Sequence, residues 1–337
     1  MSDMPPAKPT PRRKPYVPGG RTCFTQITDR DRAIFQALFD YRYLTFDQLA
    51  SLVPHHEQSK SDAGHEKKLR ERLTELYHSG HVDRIRTQHY PSVYALAGKS
   101  AEHIAAGDDD FQRLDWIKKT KGATWHFIEH TVEVAEFRIT VAKKLSQHPS
   151  IDLITGRTLM ASIKAAVGLK PTQHPLLLRQ SITLDIFDGH VGKSVNKTDV
   201  VGTVPDHLFL LQLPAGKQRA FPVEIDRGSM PVRHRGFTGS SIERKLHVYA
   251  AAALAKKRED RWGFDSFRVL FVTDSPQRSK HIRDIARSIG TDVAWTAERE
   301  TIAREPVLSE YWLDATGRAH ALLPEKLVGQ GSGGRIR

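Results

Sequence analysis

The chain has 337 residues, enough for two domains with terminal tails. Its 51 lysines and arginines against 39 aspartates and glutamates give a formal net charge of +12, which favours nucleic acid as the partner. The single cysteine, Cys23, excludes an internal disulfide and a cysteine-based zinc site. No stretch approaches the ~20 apolar residues that cross a bilayer, so we expect a cytoplasmic protein without membrane contact.

The N-terminal part of the chain begins with a polar segment. Residues 1–22 combine prolines with basic residues and offer little to bury, which predicts a disordered basic arm. A helix is predicted after Thr28, which forms a capping box with Asp31, and a short second helix after Thr45, which forms one with Gln48.

A third helix and a hairpin follow. A polar stretch at 55–64 precedes apolar residues at helical spacing, and Gly80 ends that helix. Two extended runs, 81–87 and 93–97, flank a turn and predict a β-hairpin. Three helices followed by a hairpin are typical of a winged helix-turn-helix domain, which we predict over residues 23–98.

Basic residues of this domain are the candidate DNA contacts. A recognition helix packs one face on its own domain and places the other in the major groove of double-stranded DNA. On the third helix and the first hairpin strand, the candidates are Lys67, Lys68, Arg70, Arg72, Arg84 and Arg86. The alternative is an ordinary solvated helix face balanced by glutamates, and some winged helices contact only proteins.

A second domain is predicted after a polar linker at 99–120. A long helix at 124–147 is followed by three extended runs, a helix, a strand, a helix and a last strand. This order predicts a mixed sheet flanked by helices over residues 121–325, followed by a flexible tail at 326–337. The predicted fold class is therefore α+β.

Carboxylates of the second domain form a candidate catalytic group. A short hairpin loop would set Asp206 opposite Glu224, and strand alternation would place Asp226 on the same face. Such a set suits Mg²⁺ or Mn²⁺ as a metal site, and Lys245 on the next helix would stabilise developing charge. The alternative is a group of strand-end acids paired with neighbouring arginines.

Four segments carry a family resemblance. ITDRDRAIFQALFDYRYLT at 27–45, PDHLFLL at 205–211, VEIDRGSMPV at 223–232 and SIERKLHVY at 241–249 resemble the plasmid replication-relaxation family. The resemblance spans roughly residues 27–275. It implies a DNA-bound accessory protein of a plasmid or other mobile element, acting in DNA replication, relaxation or transfer alongside replication or relaxase proteins.

The second domain also resembles the PD-(D/E)xK nuclease fold, the restriction-endonuclease-like fold, with Asp206 and Glu224 at its acidic positions. The lysine of that superfamily would stand two residues after Glu224, where this chain has Asp226. Lys245 would have to replace it. Three functions stay open: a DNA-binding accessory protein, a metal-dependent DNA endonuclease targeted by the winged helix, and a transcriptional repressor whose second domain forms a homodimer.

Overall fold

The computed structural model combines helices with several sheets, which confirms the α+β class. The chain divides into two compact units, Met1–Glu136 and Phe137–Arg337. The predicted arm, the predicted tail and most of the predicted linker lie outside the described residues. Those residues are 26–55, 61–87, 89–90, 92–104, 120, 122–170, 173–188, 193–213, 216–228, 230–232 and 241–323.

The first unit carries helices and a small antiparallel sheet. Its elements are α1 (Asp29–Tyr41), β1 (Tyr43–Thr45), α2 (Phe46–Leu52), α3 (Asp62–His78), β2 (Val82–Ile85), β3 (Val93–Leu96) and α4 (Ala101–Ile104). The strand order is β1-β3-β2, with both pairings antiparallel. The predicted hairpin is therefore present and gains β1 as a third strand.

Local sequence signals set the helix starts. The predicted capping boxes are confirmed at Thr28 with Asp31 and at Thr45 with Gln48. Strand β1 was not predicted, because its three residues are too few to show an alternating pattern and they form a strand only by pairing with β3.

A long helix, α5 (Trp125–Leu145), begins within the first unit. Ile128 and Val132 of this helix are buried against the sheet residues Tyr43, Val93 and Ala95. The division between the two units falls inside α5, after Glu136. The helix predicted to open the second domain therefore contributes its first half to the core of the first unit.

The second unit is built on one large mixed sheet. Its elements after α5 are β4 (Asp152–Ile154), α6 (Gly156–Val167), β5 (Leu178–Asp188), β6 (Lys193–Thr203), β7 (His207–Gln212), β8 (Gln218–Asp226), α7 (Ile242–Leu254), β9 (Val269–Thr273), α8 (Pro276–Ile289), β10 (Ala294–Glu298), α9 (Arg299–Arg304), β11 (Trp312–Leu313) and β12 (Ala319–His320). The large sheet runs β12-β11-β10-β9-β8-β7-β4, and the neighbours β8, β9 and β10 are parallel.

A separate two-stranded ribbon, β5-β6, pairs antiparallel from Leu178 with Thr203 to Asp188 with Lys193. Strand β6 was not predicted, because its sequence, KSVNKTDVVGT, is largely polar. Strand β4 and helix α6 were missed as well. Helix α8 packs on β9 and β10 of the large sheet, whereas α7 packs on the β5-β6 ribbon and on α8. Leu246 of α7 and Ile282 of α8 are buried in the same hydrophobic core as residues of the large sheet. Within the described residues, none of the helices is long and apolar enough to span a membrane.

Candidate nucleic-acid interface and buried carboxylate cluster

Helix α3 separates apolar from basic side chains around its axis. Its leucines at positions 69, 73 and 76 are 0–1% exposed and pack into the first unit. Side chains three or four residues apart share a face, so the intervening positions point to solvent. The exposed cations on this surface are Lys67, Lys68 and Arg70, three of the predicted DNA contacts.

Two of these cations have neighbours that limit their position. The guanidinium carbon of Arg70 lies 3.9 Å from the centroid of the Phe46 ring, a cation-π contact between α3 and α2. This contact fixes the flat face of the guanidinium, and among the described residues its N–H groups have no hydrogen-bond acceptor. Lys68 Nζ lies 3.9 Å from the Glu71 carboxylate, an exposed pair of low stability.

Arg72 has a different environment. Its Nε donates to Asp31 Oδ1 at 2.8 Å, its Nη2 to Asp31 Oδ2 at 2.6 Å, and its Nη1 to Glu75 at 2.8 Å. Burial raises the pKa of Asp31, but the hydrogen bonds from Arg72 and Thr28 outweigh burial and lower it overall. Arg72 therefore joins α3 to α1, and its donors are largely taken before any DNA arrives.

The hairpin places the two remaining predicted cations. Arg84 on β2 is half-buried and its Nε donates to Ser92 Oγ at 2.9 Å, whereas Arg86 is exposed. The hairpin connection is fixed by Glu129 of α5, a fully buried carboxylate. Glu129 accepts the backbone N–H of His89 at 2.9 Å and lies 2.7 Å from His89 Nδ1. The hairpin that carries Arg86 is therefore joined to α5 through His89.

In the second unit, strand pairing brings the first two predicted carboxylates together. His207 pairs with Val223, so Asp206 stands opposite Glu224 at the end of the β7-β8 ladder. Asp206 Oδ2 accepts the backbone N–H of Ile225 at 2.8 Å. Asp206 thereby holds the end of β8 where Glu224 and Asp226 lie.

Glu224 is buried and already has two donors. Lys245 Nζ of α7 lies 2.5 Å from Oε2, and the Tyr249 hydroxyl donates to Oε1 at 2.6 Å. Burial, aided by Asp206, raises the pKa of Glu224 to about 7 although Lys245 acts in the opposite direction. Sequence reasoning found Lys245 but missed Tyr249, which lies one helical turn further on the same face of α7.

Asp226 belongs to a different ion pair. Its carboxylate accepts hydrogen bonds from Nε and Nη2 of Arg278, at the start of α8, and the Nη2–Oδ1 distance is 3.0 Å. Arg278 Nη2 also donates to the carbonyl of Met230. Sequence reasoning missed Arg278, because 52 residues separate it from Asp226.

These carboxylates, as arranged, do not fit Mg²⁺ or Mn²⁺. Mg²⁺ in proteins is bound by one or two carboxylates together with water and substrate oxygens, so these carboxylates must have oxygens that are open to the ion. Both oxygens of Glu224 and both oxygens of Asp226 accept hydrogen bonds from protein groups, and Asp206 uses Oδ2 for a backbone N–H. Among the described side chains, no group of three or more His, Cys, Asp or Glu residues is placed to hold a metal ion.

The sequence model of the replication-relaxation family matches residues 35–265. The chain belongs to the replication-relaxation family. The resemblance seen in the sequence is therefore confirmed. No curated protein and no solved structure gives a significant match.

The segment that matches the family model contains the candidate site residues but leaves out two of their ion-pair partners. It covers the basic surface of α3 and the Glu224–Lys245–Tyr249 group, but it begins after Asp31 and ends before Arg278. Arg278, the ion-pair partner of Asp226, therefore lies outside the segment that matches the family model.

Proposed function

We propose that this protein binds double-stranded DNA through a winged-helix surface of its first unit. Its role would be that of an accessory factor of a plasmid or other mobile element, acting in DNA replication, relaxation or transfer with replication or relaxase proteins. The observation that carries the proposal is the exposed basic surface of α3, formed by Lys67, Lys68 and Arg70 opposite the buried leucines. Membership of the replication-relaxation family supports the plasmid role.

The element order of the first unit supports a winged-helix mode of binding. Helices α1, α2 and α3 are followed by the β2-β3 hairpin, and β1 pairs with β3 to complete the sheet. In this mode α3 lies in the major groove, and the hairpin reaches the neighbouring backbone with Arg86. Arg84 is half-buried and donates to Ser92, so it has a smaller role than Arg86 in the proposed DNA contact.

Two of the four acidic residues of α3 are paired with cations of the same helix. Glu75 accepts a hydrogen bond from Arg72, so its charge is offset within the first unit. Glu71 faces Lys68, and at 3.9 Å that exposed pair opens readily when a phosphate competes for the ammonium group. Lys67 and Arg70 remain as cations whose donors point to solvent.

The test is a titration of labelled duplex DNA, followed by fluorescence anisotropy over a range of salt concentrations. In the variant Lys67→Gln/Lys68→Gln/Arg70→Gln, affinity should fall by more than roughly tenfold, and the salt slope should decrease by about 0.9 for each phosphate that the variant no longer neutralises. The matched control is Lys170→Gln/Lys256→Gln/Lys257→Gln, which removes three exposed charges from the second unit. Equal affinity of the two triple variants would contradict the proposed surface.

Footprinting separates an accessory role from a repressor role. A dimeric winged-helix repressor protects palindromic half-sites about one helical turn apart. The proposed accessory role is supported by protection at a replication or transfer origin without paired half-sites.

Nuclease chemistry is not part of the proposal. The carboxylates that would bind the metal are engaged by Lys245, Tyr249 and Arg278, so we assign this group to the stability of the second unit.

A further inference from the structure

A basic pocket lies at the opposite end of the central strands from the carboxylates. Glu224 and Asp226 stand near the carboxyl end of β8, whereas Arg219 stands near its start. Arg268 immediately precedes the parallel neighbour β9, and Trp295 is near the start of β10. Together with residues around β12, they line a pocket of about 360 Å³, a volume within the range of small-molecule sites.

Three arginines line this pocket: Arg219, Arg268 and Arg318. Among the described residues that line the pocket, the acidic one is Glu310, which is exposed. With His320 neutral, three positive charges and one negative charge leave the lining with a formal charge of +2. The pocket therefore concentrates positive charge inside a concave surface.

The arginines have little compensation from protein acids. Arg219 donates to the Leu322 carbonyl at 3.2 Å, and within the described part of the chain it forms no ion pair. Arg268 reaches Asp292 only at 3.5 Å, and the Asp292 side chain is 84% exposed. Burial and the nearby charge of Arg268 lower the pKa of Arg219. Half-buried, like-charged groups repel each other unless an anion joins them.

One wall of the pocket is held in place by a stacked pair of rings. The ring centroids of Trp295 and His320 lie 4.6 Å apart, and the angle between the ring planes is 3°. His320 Nε2 is 2.7 Å from Asp314 Oδ2, a contact at the edge of the ring that fixes its orientation. A fixed wall lowers the loss of conformational freedom when a ligand binds.

We propose that this pocket binds a phosphate group, carried by a free nucleotide or by the end of a DNA strand. Guanidinium groups donate paired N–H groups that match phosphate oxygens, and a phosphate would offset the repulsion between Arg219 and Arg268. Arg318, exposed at the rim, adds a further donor to the bound group. This site is in the second unit and does not depend on the proposed duplex-binding surface of α3.

The test measures binding of four probes by titration calorimetry at physiological salt. The probes are inorganic phosphate, a deoxynucleoside 5′-monophosphate, and a short single-stranded oligonucleotide with or without a 5′-phosphate. The protein carries Lys67→Gln/Lys68→Gln/Arg70→Gln, which removes the proposed DNA contacts of α3. Binding of at least one phosphate-bearing probe is expected. Tight binding of the monophosphate assigns a free nucleotide, and a preference for the 5′-phosphorylated oligonucleotide assigns a DNA end.

The pocket variant is Arg268→Gln/Arg318→Gln, which retains Arg219 and its bond to Leu322. We expect its dissociation constant to rise by at least roughly tenfold, the loss of about 1.4 kcal/mol of binding free energy. The control, Lys256→Gln/Lys257→Gln, removes the same charge from the same unit and should bind as the parent does. An absence of binding by every probe, or equal affinity of the pocket variant and the control, would overturn the proposal.

Discussion

Arg72 of α3 and Asp31 of α1 form a bidentate ion pair, in which Nε and Nη2 donate to the two oxygens of a fully buried carboxylate. This geometry divides the arginines of α3 into two roles. Arg72 stabilises the first unit, whereas Arg70, stacked on Phe46, presents its N–H groups to solvent. The two residues are close together in sequence, so a pair of matched substitutions can separate the roles.

Arg72→Gln should lower the free energy of unfolding of the first unit by about 3 kcal/mol, because it leaves the Asp31 charge buried without its partner. Arg70→Gln should change stability by less than about 1 kcal/mol and should weaken binding to duplex DNA. Urea unfolding and anisotropy titration of both variants would measure the two effects. Equal stability of the two variants would contradict the assigned roles.

The same pair predicts acid sensitivity of the first unit. Because the folded-state pKa of Asp31 is below its ordinary value of 3.8, the stability from its ionisation is present above that pH and is lost as the pH falls through the lower, folded-state pKa. The melting temperature of the wild type should therefore fall steeply in this range. The double variant Asp31→Asn/Arg72→Met should show a flatter profile; a slope as steep as that of the wild type would assign acid unfolding to other carboxylates.

Lys245→Met should destabilise the second unit more at pH 8 than at pH 5. Glu224 has a pKa of about 7 with Lys245 present, so it is largely neutral at the lower pH and then has less need of a charged partner. Lys245 lowers this pKa, so without it Glu224 at pH 8 must either keep its proton against the higher pH or ionise without a partner, and both cost stability. Denaturant unfolding at both pH values measures the difference. The double variant Glu224→Gln/Lys245→Met serves as the control and should lose this pH dependence. If the loss for Lys245→Met were the same at both pH values, the assigned titration of Glu224 would be wrong.

Divalent metal ions should leave the second unit unchanged. Because Lys245, Tyr249 and Arg278 engage the carboxylates, Mn²⁺ or Mg²⁺ should neither raise the melting temperature nor support nicking of supercoiled plasmid. Chelation by EDTA should likewise have no effect. Metal-dependent nicking that disappears in Glu224→Ala would establish an endonuclease and contradict this prediction.

Both sites combine features that are readable from sequence with features that are not. The basic surface of α3 follows from helical spacing, and the neighbours Asp206 and Glu224 follow from hairpin register. Helical spacing and hairpin register could not show that Arg72 and Asp226, predicted to contact DNA and a metal ion, are engaged in ion pairs within the protein. Arg72 is 41 residues from Asp31, and Asp226 is 52 residues from Arg278.

Local patterns in the chain were enough to predict the capped helices α1 and α2, the leucine face of α3, the β2-β3 and β7-β8 hairpins and the family, because each of these depends on residues close together in the sequence. The fold was needed to show that Arg72 is engaged in an ion pair whereas Lys67 and Arg70 are exposed. It also decided that Ile128 and Val132 belong to the core of the first unit, and that three arginines from distant segments share one pocket. Ion pairs and pockets depend on distances in space, which local patterns do not encode.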